Sequence, residues 1–198
     1  MERKKTKDER RQKKVQIFMA VFVVLLMVMS SFQLFVGNQD DQVGYSNYNF
    51  QLDSTSRMYL LELDGKIYSF YSFPDQIDHL NVSPDVATVL QKSQAVVVTM
   101  NPEAGNLQNV EQTRYEISKY IPGSTFAVTK NVSDYEDFPI YTCNDAREFV
   151  PVIFLNVSDN FSIDFKGYCV ILNANNSDIM ILRDRLLYSY LGVIKDGE

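Results

Sequence analysis

From Ile17 to Val36 the chain reads IFMAVFVVLLMVMSSFQLFV, twenty residues without a charge. At 1.5 Å per residue, a helix of that length covers roughly 30 Å, the hydrocarbon thickness of a bilayer. Its polar members, Ser30, Ser31 and Gln33, fall toward the far end, where headgroups begin. A buried core helix rarely stays apolar around its whole circumference for so long. The pattern therefore predicts a transmembrane helix over residues 15–36. Residues 37–56 (GNQDDQVGYSNYNFQLDSTS) are polar, and read as a spacer between the span and a body over 57–198.

Within the body the periodicity changes repeatedly. Met58–Leu63 and Lys66–Tyr71 flank Asp64-Gly65, and Asp-Gly between β-prone runs predicts a two-residue hairpin. Ser83-Pro84 opens a short helix that buries Val86 and Leu90 and ends near Ser93. Ala95–Met100 is an unbroken β-prone run, the mark of a strand covered on both faces. Leu107, Val110, Ile117 and Ile121 trace one stripe of a helix that Pro122-Gly123 stops. Strands are expected at Phe126–Thr129, Val150–Leu155 and Tyr168–Leu172. Asn176 or Ser177 should cap a last helix with Ile179, Leu182, Leu186, Leu187 and Tyr190 inward, ended by Gly192. Strands alternating with helices predict an α/β fold, with α+β as the alternative. One mixed sheet, a β-hairpin and about three helices are expected.

Charge gives the expected anchor a direction. Residues 1–14 hold eight basic and three acidic side chains, whereas the whole chain is −6 and the remainder therefore −11. A basic flank stays on the cytoplasmic side, so the tip is expected inside and the body outside. A cleaved secretory signal has a shorter apolar core and an A-x-A-like site, neither of which is found here, so an uncleaved single-pass signal-anchor is favoured. The tip is expected to meet anionic lipid, with no role for nucleic acid. Cys143 and Cys169 are the only cysteines. Outside the cell an even pair reads as one disulfide, with two buried thiols as the alternative. N-x-S sequons at Asn81, Asn131, Asn156, Asn160 and Asn175 are candidate glycosylation sites, and Pro84 directly after Ser83 sets Asn81 apart.

Candidate chemistry is sparse. His79 is the only histidine, too little for a His-rich metal site, and it reads as a surface or capping residue. The cysteine spacing fits neither a redox C-x-x-C pair nor structural zinc. Val96–Met100 followed by Asn101–Gly105 and a helix has the outline of a phosphate-binding loop but one glycine, Gly105. Asp134, Glu136 and Asp137 form an acidic stretch without EF-hand spacing. No catalytic, cofactor-binding or metal residues are assigned, and no cofactor is expected.

Taken together, the Lys/Arg-rich tip, the LMVMSSF helix, Asp64-Gly65-Lys66 between strands, Cys143, Cys169 and a closing helix ending Tyr190-Leu191-Gly192 resemble a known group. They are similar to small membrane-anchored envelope proteins of archaea, over most of the chain. The resemblance implies archaeal origin and topology; the group has no assigned activity, and no site residue comes with it. The expected function is an extracytoplasmic interaction or structural domain, docking protein partners at the bilayer. The alternative is an extracytoplasmic hydrolase using carboxylates such as Asp134, Glu136 or Asp164.

Overall fold

A computed structural model describes residues 14, 16–28 and 42–197. The basic tip up to residue 13, the far part of the expected span (29–36) and residues 37–41 lie outside the described residues. The chain divides into two units, Met1–Asp41 and Gln42–Glu198. In the first, residues 16–28 form a helix, α1. Among the described residues no helix is long and apolar enough to cross a membrane.

The second unit is a mixed α/β fold with two sheets where one was expected. The first is antiparallel, in order β1 (Gln42–Tyr45), β2 (Tyr48–Leu52), β3 (Tyr59–Leu63), β4 (Lys66–Phe70). The predicted Asp64-Gly65 hairpin joins β3 to β4, with both turn residues at positive φ (52° and 74°). Two of these strands fall within the segment expected to be a spacer. In 42–52, Val43, Tyr45, Tyr48, Phe50 and Leu52 alternate with polar residues, and pairing places Val43 opposite Phe50 and Phe50 opposite Leu61. Only one side of these strands is covered, so polar residues can fill the other face without breaking the strand.

The second sheet has the order β6 (Ser124–Val128), β5 (Val96–Met100), β7 (Val152–Val157), β9 (Cys169–Ala174), β8 (Ser162–Lys166). All pairs are parallel except β8 with β9, joined by a hairpin at Gly167-Tyr168. β8 was not predicted; it is an edge strand of alternating polar and apolar residues. The expected strands and helices otherwise have counterparts: α3 (Asp85–Lys92), α4 (Gln108–Tyr120) and α5 (Ile179–Leu191), with one unpredicted turn of helix, α2 (Pro74–Ile77). Neither Asn176 nor Ser177 caps α5. The N-cap position is Asp178, with no side-chain cap, and the Asn175 carboxamide oxygen orders the turn before it, accepting from the N–H groups of Ser177 and Asp178 at 2.9 and 3.0 Å. Gly192, left-handed at φ 72°, ends the helix as expected.

α4 lies over β5 and β6, and α5 over β9 and β8. The four-stranded sheet covers the far side of these helices: Phe50, Leu61 and Phe70 share one core with Val98, Leu155, Leu172, Leu182 and Leu186. The layers run sheet, helices, sheet. α5, between them, is buried on every face, including Arg183, Asp184 and Arg185.

Those charges close an open sheet edge. β4 ends its sheet, so one side of its backbone has no neighbouring strand. Side chains from the helices take that place. Ser69 N–H donates to Tyr120 Oη at 3.0 Å, and Ser69 O accepts from Arg183 Nη1 at 2.9 Å. The N–H groups of Tyr71 and Ser72 both donate to Asp184 Oδ2 at 2.7 Å. Tyr188 Oη donates to Ser72 O at 2.7 Å, and its ring stacks on Phe70 at 4.1 Å. Arg183 also pairs with Asp184 Oδ1 at 2.5 Å and with Glu116 of α4. A second buried arginine, Arg185, donates to Leu80 O at 2.9 Å, to Ser189 Oγ and to Asp196, tying down the loop before α3 and the chain's end.

Removing one member of a buried ion pair leaves the others uncompensated, at a cost of about 3–5 kcal/mol. Arg183→Met should lower stability by that amount in chemical denaturation. Lys130→Met, breaking the exposed pair with Glu103, should change it by less than about 1 kcal/mol. Equal effects would contradict a clamp at Arg183.

Candidate functional site

The side of the five-stranded sheet away from the helices gathers four of the residues singled out in the sequence, Cys143, Cys169, Asn156 and Asp164. Alternation along the strands puts Val97, Ala127, Val152 and Cys169 there, in a small second core with Tyr141, Cys143, Ala146 and Phe154. Among the described residues no α-helix covers this side. Its cover is the segment after β6, which returns to the sheet where Val128 N–H donates to Pro139 O and Tyr141 N–H to Val128 O. Thr99 Oγ1 holds it by donating to Tyr141 O at 2.8 Å.

A disulfide between Cys143 and Cys169 fixes this strap to the first residue of β9. Cys143 opens a 3-10 turn, Cys143–Asp145, capped by Thr142 and Asp145: Thr142 N–H and Oγ1 both donate to Asp145 Oδ2 at 2.8 Å. Those bonds hold the Asp145 carboxyl below its ordinary value. The strap is thus locally ordered before the covalent bond is counted. The bond closes a separation of 26 residues.

Past the strap, toward the ends of β7, β9 and β8, the same face carries a row of polar side chains. Asn156 Nδ2 donates to Asn173 Oδ1 at 2.7 Å, and Asn173 Nδ2 donates to Ser162 Oγ at 3.1 Å and Asp164 Oδ2 at 2.9 Å. Asn173, at the centre of this row, is 7% exposed with its amide bonds made, while Asn156, Ser162 and Asp164 around it are half-buried. The candidate glycosylation residue Asn156 is thus part of the row. Asn81, Asn131, Asn160 and Asn175 are exposed, all outside strands.

The carboxylates of the hydrolase alternative do not come together. Asp134 and Glu136 lie in and just after the exposed 3-10 turn Ser133–Tyr135, held beside α4 where Tyr135 Oη donates to Glu111 Oε1 at 2.8 Å. Asp164 is on β8, at the opposite edge of the sheet from β6. Four strand spacings separate those edges, about 19 Å. His79 is exposed in the turn after α2. In the β5–α4 loop, the side chains of Asn101 and Asn106 accept from the N–H groups of Glu103 and Gln108, each at 3.1 Å. Among the described residues no group of three or more His, Cys, Asp or Glu is placed to hold a metal ion.

The acids that do converge are Glu116 and Asp184, around Arg183, and sequence reading missed them because 67 residues separate Glu116 from Arg183. Burial raises the Asp184 carboxyl to about 7, against the pull of Arg183 and the N–H groups of Tyr71 and Ser72 just past β4. Burial alone would also raise Glu116, but the Arg183 charge, with Gln112 and Tyr71 donating to it, holds it below its ordinary value. Burial and the bond to Glu116 push the Tyr71 hydroxyl up. Arg183 and Asp184 are fully enclosed, and Glu116, Ser69, Tyr71 and Ser72, their partners, all lie in the contact between layers. A pair shut in this way orders structure.

These shifts have opposite signs. Glu116 contributes stability above pH 4.5 that is lost as pH falls through its depressed value. Asp184 takes up a proton on folding, so its share of stability is present below 3.8 and lost as pH rises to about 7. The midpoint of urea unfolding should therefore peak at mildly acid pH; Glu116→Gln should shrink the acid limb and Asp184→Asn the neutral one. A midpoint that climbs steadily to pH 7 would contradict this. At the strap, the chain-entropy cost restored by Cys143→Ser is about 3 kcal/mol. The variant should lose that much stability while keeping its far-UV dichroism; no loss would mean that the strap is held by its noncovalent contacts alone.

No protein-family model, no curated protein and no solved structure matches the chain.

Proposed function

We propose that the chain is a single-pass membrane-anchored protein whose α/β body acts outside the cytoplasm as an interaction or structural domain of the cell envelope. The observation that carries the reading is α1. Eleven apolar side chains between Ile17 and Val28 are each 50–70% exposed, in a run that stays uncharged to Val36. Side chains of that kind in water cost free energy in proportion to their area, and a bilayer removes the cost. The basic tip supports an inward N-terminus. The disulfide supports an oxidising compartment for the body. The resemblance to archaeal envelope proteins agrees with both.

An interaction role is supported by how the ionisable groups are used. The buried ones are engaged in joining layers, while Asp134, Glu136 and Asp164 stand apart. No observation favours the hydrolase. The partners proposed are the lipid bilayer and at least one membrane protein.

Alkaline carbonate washing of membranes containing the full chain should leave it in the pellet, and protease added outside should digest the body. Release into the supernatant, or a body protected until lysis, would contradict the proposal. Cross-linking in the same membranes should return reproducible protein partners; a solitary chain would remove the interaction role.

A further inference from the structure

Four sequons have an exposed asparagine, and three of them share one end of the molecule. β5, β6, β7 and β9 are parallel, so their carboxyl ends point the same way. Asn131 follows the end of β6 at Val128, Asn160 follows the end of β7 at Val157, and Asn175 directly follows β9 at Ala174. These strands span three spacings in the sheet, about 14 Å. Three separate loops therefore present an N-x-S triplet on one patch. This is the end at which α/β sheets commonly hold ligands.

Resting on the extracytoplasmic placement proposed above, we infer that the carboxyl end of the five-stranded sheet is a glycan-bearing face. Its attachment sites are Asn131, Asn160 and Asn175, and Asn156 is left bare.

The co-reactant is an oligosaccharide linked through phosphate to a membrane lipid. Its C1 forms a bond to the asparagine Nδ2 as the C1–O bond to phosphate breaks. The electron pair leaves on the lipid phosphate, and Nδ2 gives up one proton to solvent. The product amide keeps one N–H and its oxygen, and the fold must be able to live with what remains. At Asn175 it can: Oδ1 still accepts from Ser177 and Asp178, and the one remaining N–H suffices for Asp178 Oδ2, 2.7 Å away. Asn131 and Asn160 are exposed loop residues with room for a sugar.

Asn156 differs in kind. It lies inside β7, paired with Asn173, and its Nδ2 points along the amide ladder at 2.7 Å from Asn173 Oδ1. A sugar there would have to displace a 7%-exposed neighbour whose own amide holds Ser162 and Asp164. Asn81 sits away from the group, near β8 residues Ile163–Lys166. Its Ser83 hydroxyl accepts from Asp85 N–H at 3.4 Å, with Pro84 between.

The test is glycopeptide mass spectrometry on the full chain, produced with its anchor in a host whose envelope proteins carry N-linked glycans. Electron-transfer fragmentation is needed, because Asn156 and Asn160 share a peptide. Thiol alkylation before and after reduction reports the state of Cys143 and Cys169 in the same sample. The expected result is a glycan at two or more of Asn131, Asn160 and Asn175, and none at Asn156. Asn131→Gln should remove one glycan, and Asn156→Gln should leave the pattern unchanged. A glycan at Asn156 in disulfide-bonded protein overturns the inference. So do bare loops: with the disulfide formed they overturn this inference alone, and with free thiols they overturn the extracytoplasmic placement as well.

Discussion

Beyond the apolar core that its layers share, the body is tied across them by a charged contact at Arg183 and Asp184. An antiparallel sheet must leave its last strand with unpaired peptide groups, and β4 is such a strand. At Ser69 in β4, and at Tyr71 and Ser72 just past it, backbone groups are satisfied by Tyr120, Arg183, Asp184 and Tyr188, all from helices that also cover the other sheet. Burying Arg183 and Asp184 is costly taken alone. The compensation lies in their arrangement, with Asp184 accepting two amides and a guanidinium while Arg183 reaches a carbonyl and two carboxylates. An apolar helix would cover the same area without binding the edge. What the charges add is a fixed register between β4 and α5.

The opposite side of the molecule is built on a different economy. There, among the described residues, no second layer of α-helices covers the five-stranded sheet, and a strap pinned by Cys143–Cys169 covers part of it. Between them, the clamp and the strap take up much of the interior's chemistry. The remaining distinctive groups are at the surface: asparagine-rich loops at the carboxyl end of the sheet, and an acidic turn beside α4. That distribution suits a rigid body presented to other molecules better than one that turns over a substrate. It agrees with the interaction or structural role proposed above.

Much of this order is written locally. Asp64-Gly65 marks its hairpin because both residues take positive φ there, and Gly192 marks the end of α5 for the same reason. The run Val96–Met100 declares a strand buried on both sides, and all five residues are buried. β1, β2 and β8 were missed although their alternation is present, because each shows water one polar face and sits at or near a sheet edge. The clamp was hidden for another reason. Asp184 meets its partners at Tyr71 and Ser72 across more than a hundred residues, and nothing local names them. One signal was available: Arg183-Asp184-Arg185 interrupts a segment with apolar residues around its whole circumference, Ile181 and Leu182 before and Leu186 and Leu187 after. Charges in such a helix are enclosed, and enclosed charges are paired.

If the clamp joins the layers, the two sheets cannot open separately. Native-state hydrogen exchange on the full chain in lipid nanodiscs tests this most directly, read at the amides of Tyr71 and Ser72. Both should exchange at the rate of global unfolding, together with β5 residues such as Val98, and should follow that rate as denaturant is added. Exchange of Tyr71 and Ser72 well before Val98 would show the four-stranded sheet detaching by itself, and would contradict the clamp as the contact on which the body depends.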